Sequence, residues 1–222
     1  MIRKQIVLAF LAAALLSLAH GQNLLKIDTA GMRLRQFYVS MRVDSLWKAG
    51  HHVNWETGAP DQPNAAKDIT THCSAFAAAV CKRRGIYILR PPAHDTELLA
   101  SAQYKWLFTQ AAADSGWRQI KTDVMETAQR KADSGLVVVA VCKNPDPKRS
   151  GHIAMVMPAE ISSDSLQRTG PTLMQAGRTN NNFICLRTGF GKHLKSWPPV
   201  AADSSFFYYA GRKQKETATF KP

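Results

Sequence analysis

The chain is poor in cysteine, with 4 in 222 residues. That is too few for a disulfide scaffold of this length. It is also poor in acid, with 16 Asp and Glu against 29 Lys and Arg and a net charge of +13. The imbalance suggests an anionic partner: nucleic acid, an acidic membrane or a cell-wall polymer. Its one long apolar run falls short of the ~20 residues that span a bilayer, which excludes a multi-span membrane protein. There is no GxSxG elbow for a serine hydrolase. No HExxH, CxxC, glycine-rich phosphate loop or dinucleotide fingerprint appears. His51 and His52 are neighbours and would point to opposite sides of an extended chain. No metal and no cofactor are therefore expected. Internal repeats and long low-complexity linkers are missing too, which favours one domain. What is present is an ordinary soluble composition, 45% hydrophobic and 20% charged.

The N-terminus has a positive start at Arg3 and Lys4, then an uncharged run from Ile6 to Ala19. It closes on Ala19-His20-Gly21, with small residues where a signal peptidase cuts. Residues 1–21 are expected to be a secretory signal peptide, 22–211 the folded domain and 212–222 a flexible basic tail. Export makes nucleic acid a poor partner. Losing Arg3 and Lys4 leaves 27 basic and 16 acidic residues, so the exported chain keeps +11.

Helices are expected first. Leu34, Phe37, Tyr38 and Met41 place apolar residues at helical spacing within 32–49, with Gly50 as a stop. A loop follows at 58–64. The alanine-rich 71–84 reads as a helix, with Thr70 or Thr71 near its N-cap and Gly85 past its end. Residues 95–113 form another helix closed by Gly116. A third covers 123–133, with Asp123 and Glu126 spaced as a capping box. Strands are expected afterwards, at 136–141, 152–157, 172–176, 183–187 and 206–210, in antiparallel meanders. Helices before strands argue for an α+β fold rather than a parallel βαβ sheet.

Three residues carry the chemistry. Cys73 falls in the first turn of a helix, where unpaired N–H groups and the positive end of the dipole favour a thiolate. His152 opens a strand and can serve such a sulfur as a base. Gln175, on the next strand, can orient the imidazole through its other nitrogen. Asn180, Asn181 and Asn182 compete for that third role. Cys142 and Cys185 both fall in strands, which allows a cross-sheet disulfide. Cys81 lies two helical turns from Cys73, too far to bond to it.

Thr71-His-Cys73-Ser-Ala-Phe, Gly135-Leu-Val-Val-Val, Gly151-His-Ile-Ala-Met-Val156 and Met174-Gln-Ala-Gly together resemble the papain-like amidases and peptidases of the NlpC and CHAP type. The resemblance spans 69–177. It implies a nucleophile-bearing helix packed on an antiparallel sheet of about five strands. It also implies hydrolysis of amide bonds in peptidoglycan, with Cys73 as nucleophile, His152 as base and Gln175 as orienter. His, Glu, Asn or Asp is commoner at the third position, and the segment between Cys73 and His152 is long, with two extra helical pieces. Trp55 and His72 are candidates to line a substrate groove, with Asn180 beside them. The expected partner is peptidoglycan or a peptide, with a regulatory or immunity protein in addition. Two other readings use the same residues: a non-catalytic envelope-binding module, and a Cys–His acyltransferase or deamidase acting on a protein.

Overall fold

The computed structural model describes residues 24–62, 71–191 and 204–211. The expected signal peptide and basic tail, Thr70 and the end of the 58–64 loop lie outside them. The described residues form a mixed α+β fold of seven helices and a six-stranded antiparallel sheet.

Helix α1 (Thr29–Ser40) starts and stops earlier than its apolar spacing predicts. Asp28 caps it, its carboxylate accepting from Gly31 N at 2.8 Å. Arg42 then turns left-handed, with φ 56°. The chain beyond it leaves the helix so that Trp47 can enter the core, fully buried, its indole donating to Trp55 O at 3.0 Å. Tertiary burial of a large aromatic thus overrides more than two further turns of local helix.

Helix α2 (Cys73–Arg83) matches its expected range, but its N-cap is His72, which makes no side-chain capping bond. The single helix expected over 95–113 is two: α3 (Leu99–Leu107) and α4 (Gln110–Asp114). Thr109 adopts an extended backbone between them and caps α4 through Ala112 N. The capping box at 123–126 does not form. Helix α5 (Val124–Asp133) begins after a left-handed Asp123, and Glu126 pairs with Arg130 instead.

The main strands are β2 (Trp117–Gln119), β3 (Val138–Cys142), β4 (His152–Val156), β6 (Thr172–Gln175), β7 (Asn181–Cys185) and β8 (Ser204–Tyr209). They run in the order β2-β8-β3-β4-β6-β7. A short pair, β1 (Leu24–Leu25) with β5 (Ile161–Ser162), stands apart. Helices α6 (Ser163–Thr169) and α7 (Leu186–Gly189) complete the set. The β3-β4-β6-β7 run is the expected meander. The last strand, however, returns to lie between β2 and β3.

Strands β3 and β4 are buried throughout, so their apolar runs serve both faces. Val139, Val141, Ile153, Met155 and Met174 join one apolar cluster with α2. Val138, Ala140, Ala154, Val156 and Leu173 join another with Ala128 and Ala132 of α5. The alanines of α2 are buried along its length, which lets the helix axis lie close to the sheet.

None of the four cysteines is in a disulfide. Cys142 on β3 and Cys185 on β7 are separated by β4 and β6. Three strand spacings amount to ~14 Å, well beyond the reach of a disulfide.

Candidate active site

Cys73 is the first residue of α2, and only 2% of it is exposed. The amides of Cys73, Ser74 and Ile153 and the Thr71 side chain all face its sulfur and draw its pKa down. Burial outweighs them and pushes the thiol up. The helix N-terminus therefore acts on the sulfur as its sequence position suggests, but the resting group is a thiol.

The Ile153 contact follows from the sheet. Met157 N donates to Thr172 O of β6. Ile153, four residues earlier on the same strand, aims its N–H to the same side. The β4–β6 register is confined to Met155↔Met174 and Val156↔Leu173. Beyond those registered pairs the Ile153 amide faces the Cys73 sulfur. α2 thus delivers its first side chain to the open end of the β4–β6 ladder.

His152 precedes Ile153 and starts β4. By strand alternation its side chain lies on the α5 face, with Ala154 and Val156. There its Nε2 donates to Gln175 Oε1 at 2.8 Å. Gln175 Nε2 donates in turn to Thr179 O at 3.4 Å. The carboxamide therefore cannot be flipped without setting its oxygen against a carbonyl. This fixes the Nε2–H tautomer and leaves Nδ1 as the nitrogen carrying the lone pair. Burial lowers the imidazole pKa, and the Gln175 bond raises it by a smaller amount. Thiol and imidazole are both neutral at rest.

Two neighbours shape this pair. The Phe190 ring meets the imidazole edge-on at 4.6 Å. Gly189 leaves room for the carboxamide, since a Cβ there would stand 2.9 Å from Gln175 Oε1. Sequence reading missed both. A glycine next to an aromatic, just past the last strand of the meander, was the only local signal.

The remaining candidates make contacts of their own. Asn180 donates from Nδ2 to Val43 O at 2.6 Å and Leu46 O at 2.7 Å, pinning the turn before Trp47. Asn181 accepts from Phe183 N at 2.8 Å. Neither competes with Gln175 for the imidazole. Trp55 stacks under Lys82, whose ammonium is 5.3 Å from the ring centroid. Lys82 also pairs with Glu56. His72, next to Cys73, donates from Nε2 to His51 O at 2.7 Å. It ties the 47–61 segment to the start of α2. Burial is the largest cause of its lowered pKa.

Among the described residues no group of three or more His, Cys, Asp or Glu is arranged to hold a metal. No described helix is long and apolar enough to cross a membrane. No family model matches the chain, and no curated protein matches its sequence.

Proposed function

We propose that this protein is an exported cysteine hydrolase that cleaves amide bonds in peptidoglycan peptides, on a papain-like scaffold of the NlpC and CHAP type. The observation that supports the reading is the His152–Gln175 bond beside the sulfur-contacting Ile153 amide. It gives a base with a defined tautomer on the residue before Ile153, whose amide faces the Cys73 sulfur, with the imidazole itself on the α5 face.

The chemistry is acyl transfer. For this, His152 Nδ1 has to reach the sulfur from the α5 face around the start of β4; it takes the thiol proton as Cys73 attacks the carbonyl, so the ion pair forms during the reaction. The amides at the start of α2 receive the oxyanion. The imidazolium then protonates the departing nitrogen, and a water molecule, deprotonated by His152, frees the acyl group. Gln175 holds the ring and disperses its charge without carrying one. The basic surplus favours an anionic wall polymer as the setting.

The test is digestion of purified peptidoglycan by the mature protein and by Cys73→Ala, with products read by mass. New amine and carboxyl ends from the wild type alone are expected. Equal, empty digests overturn the reading. Retention of both proteins on the insoluble polymer in that case identifies a binding module instead.

A further inference from the structure

The segment between Cys73 and His152 contains α3, in which the polar side chains of Ser101 and Gln103 reach opposite ways. Residues two apart on a helix are ~200° apart around its axis. Ser101 Oγ accepts from Gly151 N at 2.9 Å and from Asn144 N at 3.5 Å. Gly151 immediately precedes His152, and Asn144 opens the other end of the same loop. Gln103, fully buried, donates from Nε2 to Ser74 O at 3.2 Å and to Leu89 O at 3.0 Å. Ser74 immediately follows Cys73. One helix therefore grips the backbone beside each of the two residues.

We propose that α3 is a brace that sets the separation of Cys73 and His152, with Ser101 and Gln103 as its positioning residues. The proposal rests on the Cys–His reading above. Docking α3 does not require these bonds, because Leu99, Ala100, Tyr104 and Leu107 already bury its apolar side. Gln103 even keeps its Oε1 buried without a hydrogen-bond partner among the described residues. An apolar residue of that size would avoid the cost of the orphaned oxygen, so what the amide adds is its donor half. At the other end, a Cβ on Gly151 would stand 2.0 Å from Cys142 O. The backbone there is pressed against β3, with its N–H turned to Ser101 one residue before β4 begins. The long insertion is thus part of the site's framework.

The experiment follows alkylation of Cys73 by iodoacetamide across pH in the mature protein, with each cysteine mapped by peptide mass. Wild type is expected to show a rate inflection from His152 below the ordinary histidine value, in addition to the thiol's own ionisation. Ser101→Ala is expected to lose that inflection and to react about tenfold more slowly at neutral pH, the worth of one hydrogen bond. Ser101→Thr, which keeps the acceptor, restores both. A merely structural role for Ser101 would lower the unfolding midpoint and leave the inflection in place. A folded Ser101→Ala protein with the wild-type profile overturns the brace. If that variant does not fold, Gln103→Met carries the same comparison, since it keeps the side-chain length and removes both donated bonds. A wild type without a histidine inflection overturns the Cys–His reading itself, and the brace with it. An inflection kept in both α3 variants overturns the brace alone.

Discussion

Replacing Gln175 by methionine removes the Oε1 that accepts from His152 Nε2 while keeping the length of the side chain. His152 and Gln175 are 7% and 5% exposed, so water does not readily replace the lost oxygen. A buried N–H left without a partner costs about 1–3 kcal/mol. For a folded unit of this size each kcal/mol moves the unfolding midpoint by about 2–4 °C. The expected fall is therefore about 2–12 °C. The second consequence is chemical. Without the carboxamide the bond that holds the proton on Nε2 is lost, and the ring divides between tautomers. Only molecules with a lone pair on Nδ1 can accept the thiol proton. Amide cleavage is expected to fall by up to about 10²–10⁴, the usual contribution of a placed general base. Nitrogen NMR of the imidazole, thermal unfolding and turnover measure the three effects on one sample. Gln175→Glu is the matched control: it keeps the acceptor and adds a charge. It raises the imidazole pKa, so the acid limb of the activity profile moves to higher pH. A methionine variant with the wild-type unfolding midpoint and a pure Nε2–H tautomer would refute the role given to this bond.

Two further predictions concern stability away from the sulfur. Asp133 accepts from Gln129 Nε2 and Ala159 N through Oδ1, while Oδ2 is buried without a hydrogen-bond partner among the described residues. Burial raises its pKa from 3.8 to about 6. The folded value lies above the unfolded one, so the protonated acid's contribution is complete below 3.8 and is lost as pH rises through about 6. Asp133→Asn should gain on wild type in urea unfolding at pH 8 relative to pH 4.5, and equal pH slopes would contradict this. Asn180→Ala should free the carbonyls of Val43 and Leu46 and lower stability by about 1–3 kcal/mol. It should leave the His152 tautomer unchanged, and an altered tautomer in that variant would show that Asn180 supports the imidazole after all.

Much of the secondary structure was legible because two periodicities dominate it. The unbroken Val138–Val141 run can only be a strand covered on both faces, and it is. The alanines after Cys73 read as a closely packed helix, and they form one. The errors fall where a distant contact wins. Helix α1 ends early because Trp47 has a place in the core and the turn before it is held by Asn180, far along the chain. The 95–113 helix divides because Thr109 caps a second one. The expected Asp123 cap fails because that residue turns left-handed, with φ 42°. The suggested Cys142–Cys185 bond fails on strand order, which no local pattern encodes.

By itself the sequence determined the element types, the α+β order and the three residues Cys73, His152 and Gln175 as candidates. It could do so because helix starts, strand starts and alternation are local properties of the chain. Only the tertiary structure decided that the last strand inserts between β2 and β3. It alone decided that Gln175 rather than a nearby asparagine meets the imidazole, and that α3 grips both sides of the site. It also decided the charge state of the pair. The pull of a helix N-terminus on a thiol can be read from position, but the burial that outweighs it comes from residues brought together from the whole chain.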